Sequence, residues 1–152
     1  DLIQSIGIVV AIIGLILTIL SNRKQLKLFN EQMKLQFFAD YTKRYQELIL
    51  QFPLSIFSDD FRFEAQSKED QENILKYMRA YFDLCSEEYD LWKSGYVEER
   101  IWGNWKEGME YAFAKPAFKQ AWELVGLQTT YFSKFKNWIN QVILKQKNNT
   151  ES

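Results

Sequence analysis

The densest run of titratable side chains in the sequence is Cys85-Ser86-Glu87-Glu88-Tyr89-Asp90. Adjacent carboxylates suggest acid–base work, but consecutive residues diverge by about 100° around a helix. Glu87 and Glu88 therefore cannot face one substrate as a pair, and a second acid would have to come from Asp83, Glu98, Glu99 or Glu107. There is no histidine, which removes histidine triads, bases and metal ligands. A carboxylate di-metal bundle needs inward acids on several helices, usually with histidine, so neither metal nor cofactor is expected. Cys85 is the one cysteine. It can form no internal disulfide, and nothing nearby in sequence depresses its pKa, so it reads as a core residue in a reducing compartment. The role expected of Glu87 or Glu88 is structural: an ion pair with an arginine, Arg79 or Arg44, or a cap on a neighbouring helix. The six glycines form no phosphate loop, nucleophile elbow or dinucleotide fingerprint. No catalytic residue is expected, and the chain reads as non-enzymatic.

Aromatics interleaved with cations are the other chemical signal. All 12 Phe, 8 Tyr and 5 Trp lie at or after Phe29. One such stretch runs Tyr131-Phe-Ser-Lys134-Phe-Lys136-Asn-Trp138, another Phe37-Phe-Ala-Asp-Tyr-Thr-Lys43-Arg44-Tyr45. Aromatic faces stack on bases while Lys and Arg hold phosphates. A small anionic, nucleotide-type ligand would thus fall to Lys43, Arg44, Arg79, Lys134 and Lys136, with Tyr45, Tyr131 or Trp138. The competing reading is an aromatic core with a solvated charged face. A net charge of −1 provides no basic field for double-stranded DNA.

The elements that carry these residues begin with an uncharged run, Leu2 to Leu20. At 1.5 Å per residue it spans about 29 Å, close to the hydrocarbon thickness of a bilayer. A buried core helix is usually shorter, and a signal peptide carries its cations ahead of the apolar run. Here Arg23, Lys24 and Lys27 follow it, which places the C-terminal side in the cytoplasm by the positive-inside rule. The expectation is a single-pass protein of a bacterial inner membrane. Gln4, Gly7, Ala11, Gly14 and Thr18 recur on one face, and small residues let helices approach closely in lipid. That stripe is expected to be a self-association seam of a homo-oligomer; should the helices line a pore, Gln4 and Thr18 are its polar positions.

Beyond the bilayer, Leu26, Phe29, Met33, Phe37, Tyr41 and Leu48 continue at helical spacing, with neither Pro nor Gly between Gly14 and Pro53. One straight helix to Phe52 would be about 75 Å long. Pro53 ends it, and a loop anchored by Ile56, Phe57, Phe61 and Phe63 follows. Ser67 with Glu69 and Asp70 starts the next helix, which runs to Ser94 with Gly95 as its stop. Glu98 to Phe113, Pro116 to Val125 (with Gly126 as stop) and Thr130 to Lys145 complete the set. Each carries an aromatic inward stripe. The expected organisation is all-α: a transmembrane helix over 1–22, a stem over 23–52, a cytoplasmic helical bundle over 53–147 packed on the stem, and a polar tail over 148–152. Charge is uneven along this order, with a basic stem, an acid-rich middle from Asp59 to Glu110 and a basic C-terminal part. A basic stem suits anionic lipid headgroups.

The run Arg79-Ala-Tyr-Phe-Asp-Leu-Cys-Ser-Glu-Glu-Tyr-Asp-Leu, then Lys93-Ser-Gly-Tyr-Val, Ile101-Trp-Gly-Asn-Trp and Lys115-Pro-Ala-Phe, together with Phe38-Ala-Asp-Tyr-Thr-Lys-Arg-Tyr, carries a likeness. It resembles a family of small uncharacterised bacterial membrane-anchored helical proteins, a resemblance that implies the architecture and no activity. The layout is also similar to small membrane effectors of bacterial antiphage systems, where a cytoplasmic domain senses a nucleotide messenger or a protein partner and the membrane helices perturb the bilayer. The function expected is a self-associating membrane protein whose cytoplasmic domain senses a ligand or partner. The alternative is a structural adaptor within a larger membrane-associated complex, which predicts an exposed aromatic patch in place of a charged pocket.

Overall fold

The structure is a computed structural model that describes the backbone of residues 2–126 and 133–150, and side chains over 5–126 and 133–146. The side chain of Gln4, Tyr131 with its neighbours, and the side chains of the polar tail lie outside the described residues. Among the described residues the chain is helical throughout: α1 Leu2–Ile49, two short 3₁₀ turns (Leu54–Phe57 and Phe63–Ala65), α2 Lys68–Lys93, α3 Glu99–Ala114, α4 Pro116–Val125 and α5 Ser133–Thr150. The chain divides into two compact units, Asp1–Arg44 and Tyr45–Ser152.

The first unit is most of α1. By length and composition α1 could cross a membrane. Every described side chain from Ser5 to Gln36 is exposed, and Leu26, Phe29 and Met33 of the stem stripe are exposed with them. Phe37 and Tyr41 sit one turn apart with ring centroids 4.6 Å apart, and the Arg44 guanidinium lies 5.1 Å from the Tyr41 ring.

The second unit owes its element boundaries to local chemistry. At the end of α1 the hydrogen bonds shorten from i→i−4 (Leu50 to Gln46) to i→i−3 (Gln51 to Leu48, Phe52 to Ile49). Pro53 then removes the donor that a further turn would need. Ser67 caps α2: its hydroxyl accepts from the Asp70 amide at 3.1 Å and donates to the Asp70 carboxylate at 2.7 Å. At the other end Gly95 has φ +79°, the left-handed region that glycine enters without strain. The Gly95 and Tyr96 amides donate back to the Trp92 and Leu91 carbonyls, both at 2.9 Å, closing a Schellman motif. Pro116 opens α4 at a position where its missing donor costs nothing.

Helix α4 ends at Val125 with Gly126 as its C-cap, as expected, but Gly126 does so without entering the left-handed region. Its φ is −64°, an ordinary helical value. A β-carbon there would lie 2.5 Å from Cε3 of Trp122, inside any real contact. The Trp122 ring is buried and its Nε1 donates to Asn140 at 3.1 Å, so it has little room to yield. Glycine suits the position because an indole one turn earlier on the same helix lies against the backbone, held there by Asn140 of α5.

The core is aromatic. Phe82 of α2 stacks on Phe113 of α3 at 5.3 Å, and Trp122 of α4 meets both rings edge-on. Phe118 stacks on Phe57 and meets Phe52 and Tyr81 edge-on. At the far end of α2, Tyr89 is surrounded by Trp92, Trp102, Phe135 and Trp138. Helices α3, α4 and α5 all pack on α2. Being covered from several sides, α2 buries Leu84, Ser86 and Glu88 as well as Ile74, Met78, Tyr81, Phe82, Cys85 and Tyr89, and Tyr77 and Trp92 are half-buried.

Candidate functional site

A cleft of about 550 Å³ opens in the second unit, where the chain leaves α1 and enters α2. This is within the size range of small-molecule sites, roughly 300–1,000 Å³. One wall is the turn Gln51-Phe52-Pro53. The other is Gln66 followed by Asp70, Asn73, Ile74 and Tyr77, residues at three- and four-residue steps along one face of α2. Phe52 and Ile74 are buried and make an apolar floor, with the half-buried Tyr77 edge-on to Phe52 at 6.5 Å. The lining contains three carboxamides, one carboxylate and no Lys or Arg. Two of its polar groups are held in place. Gln66 Nε2 donates to the Arg62 carbonyl at 3.3 Å, and Asp70 is tied to Ser67 by the cap described above.

A second concentration of chemistry is buried. Glu88, with 6% of its surface exposed, lies on the same side of α2 as Tyr81 and Cys85. Burial is the main cause that raises the Tyr81 hydroxyl and the Cys85 thiol well above their ordinary values; the negative charge of Glu88 adds to both, and the two groups are hydrogen-bonded to each other. Tyr45 is raised first by burial, then by Cys85 and Glu88. A thiol held neutral in this way is no nucleophile. It predicts a pH dependence whose sign is fixed. Unfolded, the thiol and phenol titrate near 9.0 and 10.0; folded, they keep their protons. Stability is therefore complete below about pH 9 and falls as pH rises above it, because the unfolded chain then binds fewer protons than the native one. Urea midpoints measured from pH 7 to 11 should show this decline, with Cys85→Ala flattening the segment between pH 9 and 10. A profile identical in the variant refutes the account.

A third cluster lies at the α2–α3 turn. The indoles of Trp92 and Trp102 stack at 4.5 Å and 7°, Lys93 Nζ lies 3.9 Å from the Trp92 ring, and Trp92 Nε1 donates to Glu99 at 2.8 Å. The Trp92 N–H and the Lys93 ammonium are both matched by neighbours from the same chain, which suits a structural role.

The residues expected to hold an anionic ligand are divided between the two units. Lys43 and Arg44 belong to the first unit; Tyr45, Arg79, Lys134, Lys136 and Trp138 belong to the second. None of them lines the cleft. Arg79 and Glu87 are exposed whereas Glu88 is buried. Nine residues separate Arg79 from Glu88 on α2, two and a half turns, so the two project from opposite sides. In the small-residue stripe of α1, Thr18 Oγ1 donates to the Gly14 carbonyl at 2.9 Å, which spends its proton inside the helix. A β-carbon on Gly7 or Gly14 would meet nothing within 4 Å. The cleft itself escaped the sequence-based reading. Its signal, three amides and an acid around Pro53 and Ser67, is ordinary capping and turn chemistry until the two segments are brought together.

Comparison with known proteins adds no relative: no family model, curated sequence or solved structure matches the chain.

Proposed function

We propose that this chain is a non-enzymatic, single-pass protein of a bacterial inner membrane. In this reading α1 anchors and self-associates, and the helical domain faces the cytoplasm as a ligand- or partner-sensing module. The observation that carries the reading is the exposure of α1: from Ser5 to Leu20 it presents Ile, Leu and Val to solvent all round. A helix apolar on every side is stable in lipid or against other helices and unfavourable in water. Arg23, Lys24 and Lys27 directly follow the apolar run and favour a cytoplasmic C-terminal side.

The test uses the full chain expressed in bacteria. It should remain with membranes through alkaline carbonate washing, and in detergent its mass should be a multiple of 18.2 kDa. Gly7→Leu with Gly14→Leu should reduce that mass to one protomer without changing the helical circular dichroism, since neither new side chain meets anything in its own protomer. Release by carbonate removes the anchor. A monomeric native chain removes self-association.

One observation favours the adaptor reading. Leu50 and Leu54, either side of the Pro53 turn, are 80% and 103% exposed. Apolar side chains so fully presented to water suit a protein contact. If they make one, Leu50→Asp with Leu54→Asp releases a co-purifying protein and leaves the oligomer intact.

A further inference from the structure

From the lining of the cleft at the α1–α2 corner we infer that it binds an uncharged sugar ring. The inference deepens the sensing part of the proposed function and rests on it. The sign of the charge comes first. No Lys or Arg lines the cleft, and its one ionised group is Asp70. A phosphate or carboxylate ligand would meet that charge with no cation to balance it. An ammonium ligand fares little better. Asp70 stands in the first turn of a 26-residue helix, where the helix dipole offsets its charge, and its carboxylate already accepts from Ser67 at 2.7 Å. The local field is close to balanced, which favours a neutral ligand.

The functional groups then narrow the class. Gln51, Gln66 and Asn73 each carry a carboxamide, which both donates and accepts, as does every hydroxyl of a sugar. They stand around a floor of Phe52, Ile74 and Tyr77. A pyranose has the matching construction: hydroxyls around its edge and an apolar C–H face that packs on an aromatic or aliphatic surface. A wholly apolar ligand would cover the Gln51 and Asn73 amides and the Gln66 side-chain carbonyl without offering them partners, at a cost that a hydroxylated one avoids. The volume of about 550 Å³ accommodates one or two rings.

The experiment is titration calorimetry on the full chain, purified in an amine-oxide detergent so that no sugar headgroup competes. The soluble probes are glucose, maltose and cellobiose, with vesicles carrying a glucosyl-diacylglycerol as a separate arm. Inorganic phosphate, AMP and spermidine are the charged comparisons. We expect saturable binding of a neutral sugar, unchanged between low and high salt. Gln51→Leu with Asn73→Leu should weaken it about tenfold or more, roughly the loss of one or two hydrogen bonds. Both side chains are exposed, so the variant folds, as circular dichroism will verify. Binding of soluble sugar assigns a free ligand; binding confined to the vesicles assigns a lipid headgroup. No saturable sugar binding in either arm, tighter binding of phosphate, AMP or spermidine, or undiminished binding by the double variant each overturns the inference. Membrane retention and oligomer mass are read without sugar, so failure here is distinguishable from failure of the anchor.

Discussion

Phe82→Ala should destabilise the helical domain by about 3–5 kcal/mol, the range for removing a buried aromatic ring. Phe82 has no exposed surface. Its ring touches Phe113 at 5.3 Å, Trp122 at 5.2 Å and Tyr81 at 6.0 Å, so one side chain joins α2 to α3 and α4. Its removal forfeits the transfer of the ring from water and leaves a cavity walled by rigid aromatics that collapse poorly. Against a whole-domain stability of roughly 5–15 kcal/mol, that is enough to unfold a large part of the population. Urea titration of the detergent-solubilised chain, followed by tryptophan emission, reads the loss directly. Leu54→Ala is the control: its side chain is fully exposed and the change should stay within about 0.5 kcal/mol. A loss below about 1 kcal/mol for Phe82→Ala means that the junction of α2, α3 and α4 is not what holds the domain together.

The second large effect concerns location. Ile13→Arg sets a guanidinium near the middle of the Leu2–Leu20 run. At the centre of a bilayer this costs about 2.5–3.5 kcal/mol on the insertion scale, enough to shift most chains out of the spanning state. Ile13 is half exposed along a helix face that meets no other element of its unit. The helical domain should therefore keep its circular dichroism and urea midpoint while the carbonate-resistant membrane fraction falls several-fold. Ile13→Leu should change neither. An arginine variant as firmly retained as the native chain would show that α1 does not cross the bilayer, and the proposal for its role would fall with it.

These two substitutions separate what local sequence carries from what packing adds. Ser67, Gly95, Pro53 and Pro116 marked helix ends correctly because capping and missing donors act within a few residues. The buried residues Met78, Phe82, Cys85 and Tyr89 of α2 follow helical spacing, a local property that is visible in sequence. Gly126 ends α4 as expected, and the Trp122 ring adds a second reason for glycine there, because the contact of that indole with position 126 depends on how the ring is packed.

The site was less legible for the same reason. Glu88 reads as half of an arginine pair or as a helix cap, and its depth is decided by α3, α4 and α5, which cover α2 widely enough to bury it. The expected anion-binding residues belong to two units, Lys43 and Arg44 to the first and the others to the second, and sequence shows residue type without azimuth across different helices. The cleft needs Gln51 and Gln66, fifteen positions apart in the chain, to flank one floor. Composition and periodicity were sufficient for the all-α class, the apolar N-terminal helix and the missing histidine chemistry, since each depends on a residue and its near neighbours. The amide-rich, cation-free lining of the cleft and the burial of Glu88 arise from contacts between segments apart in sequence, and a one-dimensional pattern holds no record of those distances.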